Sequence, residues 1–160
     1  MKIPFCSKTG CIRPLADHRG FTLVELLVVV ALIGILATLT IPMYSSYISR
    51  AKNSRSTADI RTIDQAISAY YIDHNALPAT LSDAGMGNLF DPWGRPYEYQ
   101  VLGDGAAPLE DSGGGDLNTD YDLYSKGADG ASAVSSLDPR SSDDIVRASS
   151  GTLICLRSQL

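Results

Sequence analysis

The feature that most constrains this chain is a near-continuous apolar run from residue 21 to residue 41, interrupted by one charged side chain, Glu25. A helix rises about 1.5 Å per residue, so about 21 residues span roughly 30 Å, the thickness of the hydrocarbon core of a bilayer. A run of this length is too long for a buried core helix in a chain of 160 residues. The run therefore predicts a membrane-spanning helix.

Three interpretations of this run are open. A secretory signal peptide has a shorter apolar stretch, of about 7–15 residues, and a small-residue cleavage site, which residues 41–43 do not provide. A plain membrane anchor accounts for the length, and the basic residues before the run predict a cytoplasmic N-terminus. An anchor does not account for Glu25, because a carboxylate is costly in hydrocarbon and usually marks a function with a partner.

The third interpretation joins the run to the residues immediately before it. The string RGFTLVE, residues 19–25, resembles the cleavage and methylation site of type IV prepilins, in which a basic leader ends in Gly. In that family a membrane peptidase cuts after the Gly and methylates the new N-terminal Phe. The resemblance implies that residues 1–20 are a cleaved leader, that Gly20 and Phe21 flank the cut, and that a prepilin peptidase is a partner.

This interpretation gives Glu25 a physical role. Cleavage leaves an α-amine on Phe21, at the edge of an apolar helix. In a self-assembled filament, the amine of one subunit meets Glu25 of a neighbour, so that each charge offsets the desolvation of the other. A subunit out of register leaves both charges unpaired, and we therefore expect Glu25 to set the register of assembly. The other interpretation of Glu25 is an interfacial acid whose carboxylate reaches the lipid headgroups.

Helical periodicity continues after Pro42, which has no N–H to donate and is expected to kink the helix or melt it locally. We expect residues 21–42 to form the transmembrane and filament-core helix, and residues 43–75 to form its amphipathic continuation. The apolar face of the continuation is predicted from residues at helical spacing: Ile48, Ala51, Ala58, Ile63, Ala66, Ile67 and Tyr70.

Residues 76–160 are predicted to form a β-rich head with an acidic loop. Three segments that favour strands are separated by turn signals. The predicted strands are 97–101, 121–124 and 152–156. Trp93 is expected to plug the core of the head. Cys155 is the only cysteine outside the leader, and it is interpreted as a small, half-buried hydrophobe.

Four strings of the head narrow the resemblance: DPWG at 91–94, PY at 96–97, YDLYS at 121–125 and GADG at 127–130. Together with the N-terminal region, they resemble the major pseudopilin of type II secretion, the general secretion pathway G family. The resemblance implies an α+β, type IV pilin-like fold, in which a long N-terminal helix packs on a small antiparallel sheet.

The resemblance also implies a function and a location. The implied protein is a structural subunit of the periplasmic pseudopilus that drives type II protein secretion across the outer membrane. It crosses the bacterial inner membrane once, with its head in the periplasm, and its partners are minor pseudopilins and the inner-membrane secretion platform. The alternative is a major or minor subunit of a type IV pilus, used for adhesion, motility or DNA uptake.

Members of the pseudopilin family hold a calcium ion in the loop after the strand, through Asp side chains and backbone carbonyls. Asp129 falls on the family motif and is the first implied ligand, and Lys126 is expected to offer its carbonyl. The second carboxylate stays open between Asp138 and Asp144, because the sequence departs here from the family's glycine-rich continuation. The other interpretation is a solvated acidic loop.

Charge and motif content argue against two other classes of function. The net charge is -5, and the chain after the leader has no Lys/Arg tract of the kind that follows phosphates, so we do not expect nucleic acid as a partner. The sequence lacks the GxSxG, HExxH and Walker motifs, and neither of its two histidines stands in a catalytic motif. We therefore do not expect an enzyme.

Overall fold

The computed structural model describes residues 20–103 and 105–160, with the backbone alone at residues 39–43. The predicted leader therefore lies outside the described residues, except for its last residue, Gly20. The chain divides into two compact units, Met1–Pro42 and Met43–Leu160. The predicted division into a leader (1–20), a transmembrane helix (21–42), its amphipathic continuation (43–75) and a head (76–160) stays a prediction.

One long helix, α1, runs from Leu23 to His74. It ends where the sequence predicts, because Asn75 takes a left-handed conformation with φ of 54° and its N–H donates to the carbonyl of Tyr71 at 2.8 Å. The helix is unbroken at Pro42, so the expected local melting is wrong. Loss of one N–H leaves the neighbouring helical hydrogen bonds in place. The expected kink stays a prediction.

The head contains a four-stranded antiparallel sheet whose strands lie in chain order. The strands are β1 (Glu98–Val101), β2 (Tyr121–Ser125), β3 (Ile145–Ala148) and β4 (Leu153–Leu156). The first, second and fourth of them confirm the predicted strands to within one residue at each end, whereas β3 is missing from the sequence prediction. The α+β, pilin-like fold class, with a long helix on a small antiparallel sheet, is confirmed.

The core of the head forms between one stripe of α1 and one face of the sheet. Ile60, Ile63 and Ile67 are fully buried, and their spacing of three and four residues places them on one side of the helix. They pack against a cluster of sheet and loop residues: Tyr97, Tyr121, Leu123 and Ile145. The predicted face is right at Ile63 and Ile67. The predicted Ile48, Ala51 and Ala58 are exposed, and Ile60, which was not predicted, is buried.

Arg147, on β3, joins the sheet to α1 by charge. Its Nε donates to Asp64 Oδ1 at 2.5 Å, and its two terminal nitrogens donate to the two carboxylate oxygens of Asp120 at 2.8 Å each. The guanidinium also lies over the ring of Tyr121, 3.9 Å from its centroid. Burial alone would raise the pKa of Asp120, but hydrogen bonds from Arg147 and from the backbone N–H of Tyr121 lower it below its ordinary value. The side chain of Arg147 is only 4% exposed.

Two single-residue predictions fall at the edge of the core. Trp93 packs against the core cluster but is only partly buried, and the ammonium of Lys52 lies 5.7 Å from its ring centroid. Trp93 therefore covers the core from one side rather than filling its centre. Cys155 is a free, half-buried thiol whose pKa is raised by burial, which confirms its interpretation as a small hydrophobe.

Candidate functional site

The predicted cleavage bond lies in non-helical backbone just before α1. Gly20 and Phe21 are both exposed, and the side chain of Phe21 is 81% exposed. A side chain added at Gly20 would meet no atom within 4 Å. Exposed backbone outside regular secondary structure is the usual site of proteolytic cleavage. The structure therefore presents this bond in an accessible form.

Glu25 caps the first turn of its own helix. Its Oε2 accepts a hydrogen bond from the backbone N–H of Thr22 at 2.9 Å and another from Thr22 Oγ1 at 2.8 Å. In return, Thr22 Oγ1 lies 3.2 Å from the N–H of Glu25. This reciprocal pair is a capping box, which satisfies backbone donors that a helix start leaves unpaired. This capping box was not predicted, although the T-x-x-E spacing is its signature.

The capping box uses only half of the carboxylate. Both Thr22 donors bind Oε2, and Oε1 of Glu25 has no hydrogen bond among the described residues. A carboxylate oxygen is a strong acceptor for a cationic N–H donor. Glu25 can therefore cap its own helix and bind a second donor at the same time.

The first part of α1 exposes its apolar side chains on every side. From residue 21 to residue 36 the large hydrophobic side chains are each 43% to 81% exposed, with Val29 and Phe21 at the two ends of that range. A helix that is apolar all round needs lipid or other protein around it. Within the described residues, we find no helix with both the length and the apolar character that a membrane crossing requires.

Two of the predicted calcium ligands are occupied by local contacts. Asp138 accepts hydrogen bonds from Arg140, at 3.0 Å from its backbone N–H and 2.8 Å from Nη2. These bonds lower the pKa of Asp138 to about 2. Asp129 accepts from the N–H of Ala131 at 2.8 Å, which closes a turn within the loop.

The other two predicted ligands have partners as well. The carbonyl of Lys126 accepts from the N–H of Gly130 at 3.0 Å, and its ammonium lies 2.6 Å from Glu98. Asp144 is fully buried, and its Oδ2 accepts from Ser132 Oγ at 2.6 Å and lies 3.5 Å from Arg157 Nη1. Burial raises the pKa of Asp144 to about 6, against the lowering effects of these two partners.

Asp143, which was not a predicted site residue, fixes the loop after β2. Its Oδ2 accepts from the backbone N–H groups of Ala128 and Asp129 at 2.6 and 3.0 Å. The approach is close because Gly127, at φ of 57°, has no Cβ; a Cβ there would lie 2.2 Å from the carbonyl oxygen of Asp143. Gly130, on the other side of Asp129, also has a positive φ, of 74°.

These contacts do not form a ready-made calcium cage. Over residues 20–103 and 105–160, no three His, Cys, Asp or Glu side chains are grouped as a metal site requires. Oδ1 of Asp144 is buried without a partner, yet the cationic group beside this carboxylate is Arg157. Calcium binding by this loop stays a prediction.

Comparison with known proteins identifies the family. A family model described as the prokaryotic N-terminal methylation motif matches residues 15–41. The chain is 34% identical to the type II secretion system core protein G of Pseudomonas aeruginosa over 135 residues, which cover 71% of this chain and 86% of that protein. It is 31% identical to the core protein G of Pectobacterium carotovorum, with 76% of each chain covered.

Similarity to pilins is shorter. A fimbrial protein of Neisseria meningitidis is 35% identical over 78 residues, which cover 49% of this chain and 46% of the fimbrial protein. No solved structure matches the chain. Because residues 1–75 are less than half of the chain, the longer matches include part of the head as well as the helix. The chain belongs to the family of the type II secretion system core protein G.

Proposed function

We propose that this chain is a structural subunit of a periplasmic pseudopilus, which drives type II secretion across the outer membrane. The match to core protein G, which extends into the head, is the observation that carries this proposal. A prepilin peptidase removes residues 1–20 and methylates Phe21. The cleaved chain then assembles with copies of itself, with minor pseudopilins and with the inner-membrane secretion platform.

Assembly pairs two charges. Cleavage frees the amine of Phe21, and Oε1 of Glu25 is the acceptor that the capping box leaves open. When neighbouring subunits stack, the amine of one binds Oε1 of the next, where apolar side chains exclude water and strengthen the attraction. The shared carboxylate therefore caps its own helix and sets the register between subunits.

The exposed apolar segment has two environments in this proposal. Before assembly, residues 21–42 lie in the bacterial inner membrane, with the basic leader in the cytoplasm and the head in the periplasm. In the filament, the same segment packs against the helices of other subunits. The all-round exposure of its apolar side chains supports both environments.

A type IV pilus subunit is the second candidate, and the fimbrial relatives favour it. Deleting the gene and measuring secreted enzymes and surface motility separates the two functions. A pseudopilus subunit loses secretion and keeps motility. Retained secretion with lost motility would assign the chain to a pilus instead.

Replacing Thr22 with valine is expected to reduce filament yield by about fivefold, since an N-cap contributes about 1 kcal/mol to a helix start. Valine keeps the shape of threonine but removes Oγ1, so the capping box loses two of its three hydrogen bonds. Chemical cross-linking of subunits in intact cells measures the yield. Thr22→Ser, which retains the hydroxyl, is the matched control, and equal loss in both variants would contradict the capping role.

A further inference from the structure

A buried arginine organises the acidic loop of the head. Arg157 follows β4 directly, and its side chain is fully buried. Its guanidinium binds three backbone carbonyls, one hydroxyl and one carboxylate. The partners are the carbonyls of Glu110, Ala133 and Val134, Ser136 Oγ at 3.0 Å and Asp144 Oδ2 at 3.5 Å. Five oxygens from three separate segments therefore converge on one cationic group.

The carbonyls in this cluster need hydrogen-bond donors, and the buried carboxylate of Asp144 needs a cation beside it. Carbonyl oxygens carry partial negative charge, and turning several of them toward one buried point is unfavourable unless N–H donors meet them there. The guanidinium supplies that cation and directs its fixed fork of N–H donors at the oxygens. Asp144 supplies the balancing negative charge, so the cluster is neutral as a whole.

The charge of Arg157 also bears on metal binding. A divalent cation bound by Asp144 would lie beside the buried guanidinium. Like charges repel strongly where water is excluded, and the guanidinium stays protonated at neutral pH. The carbonyls of Ala133 and Val134 accept hydrogen bonds from Arg157, so the guanidinium holds this part of the loop beside Asp144.

We propose that Arg157 is the built-in cation of this loop, and that it takes the place of a bound calcium ion in holding residues 131–137 against Glu110 and Asp144. The loop is then ordered by a residue of the chain itself. Folding of the head then does not depend on the calcium concentration around it. This inference goes beyond the proposed function and does not depend on it, because it concerns the head of a single subunit.

The experiment uses the processed full-length chain in detergent, with Trp93 as the probe. Trp93 is the only tryptophan and packs against the core of the head, so its fluorescence reports unfolding of that unit. Melting curves are recorded for the unaltered chain in about 10 mM calcium chloride, roughly tenfold above the Kd of the weakest protein calcium sites, and in excess EGTA. We expect the same Tm in both, because a ligand that does not bind the folded state does not stabilise it.

The second part of the experiment removes the guanidinium of Arg157. Arg157→Gln is expected to lower the Tm by roughly 10 °C or more, because it leaves a buried carboxylate without its partner. Arg140→Gln, a second arginine beside this loop, is the matched control, and it is expected to leave the Tm unchanged because Arg140 is exposed. If Arg157→Gln does not fold, Arg157→Lys keeps the charge without the fork and is expected to fold with a smaller loss of Tm.

Two results would overturn the proposal. The first is a Tm of the unaltered chain that rises by several degrees in calcium and falls in EGTA, which would show that a metal holds the loop. The second is an Arg157→Gln variant that melts at the temperature of Arg140→Gln, which would show that the buried guanidinium contributes nothing. The first result needs no variant, so the proposal stays testable even if both substitutions at Arg157 prevent folding.

Discussion

Replacing Glu25 with glutamine is expected to leave cleavage after Gly20 intact and to reduce assembled filaments by roughly tenfold or more. Glutamine retains a side-chain oxygen at the position of Oε2, and it can therefore keep the capping box with Thr22. It removes the negative charge that Oε1 offers to the amine of a neighbouring Phe21. The substitution thus separates charge pairing between subunits from helix capping within one subunit.

Two measurements check this prediction. Mass spectrometry of the purified chain reports cleavage, and cross-linking of subunits in intact cells reports assembly. Thr22→Val is the complementary variant, because it weakens the cap and keeps the charge. Normal filament yield from Glu25→Gln would contradict charge pairing and would leave capping as the only role of Glu25 that the structure supports.

Replacing Arg147 with methionine is expected to lower the free energy of unfolding of the head by about 3–5 kcal/mol, the usual cost of breaking a buried ion pair from one side. The substitution leaves Asp64 without its 2.5 Å partner and removes both hydrogen bonds to Asp120. Denaturant titration followed by Trp93 fluorescence measures the change. The exposed Arg140→Met is the matched control, and equal effects in the two variants would contradict the role assigned to Arg147.

The same ion pair predicts a dependence on pH. The pKa of Asp120 is lowered in the folded head, so its contribution to stability is present above its unfolded pKa of about 3.9 and is lost as the pH falls through the folded pKa. The stability difference between the unaltered chain and Asp120→Asn is therefore expected at pH 7 and should shrink below pH 4. A difference that is constant from pH 7 to pH 3 would contradict this.

The parts of the fold that the sequence predicts are those with strong local signals. The apolar run and the helical spacing of Ile63 and Ile67 predict α1, because they mark its sides without reference to the rest of the chain. Strand β2 is predicted because aromatic and aliphatic residues stand between glycine-rich turns. The prepilin motif is predictable for the same reason, since all of its residues are contiguous.

The parts that were missed depend on contacts distant in sequence. Strand β3 is buried on both faces, so its sequence IVRA lacks the alternation that marks a half-buried strand. Nothing local in the sequence marks Arg147 or Arg157 as buried. Their acidic partners, Asp64, Asp120 and Asp144, are distant in sequence and meet them only in the folded chain. The calcium role predicted for Asp144 stays a prediction, but its contact with Arg157 was not foreseen, because that partner lies 13 residues further along the chain.

The capping box is a different kind of omission. Thr22 and Glu25 are three residues apart, and their spacing is visible in the sequence. Glu25 was predicted to pair with a neighbouring subunit, and its role within its own helix was not predicted. Since the two Thr22 donors share one carboxylate oxygen, the roles are compatible.

Every role proposed for Glu25 in assembly requires a free amine on Phe21, so the mass of the mature N-terminus is the most direct measurement. The chain should be purified from cells that contain an active prepilin peptidase, digested, and examined by tandem mass spectrometry. Our account predicts an N-terminal peptide that begins with methylated Phe21. A chain that retains Met1 and residues 2–20 in those cells would contradict it.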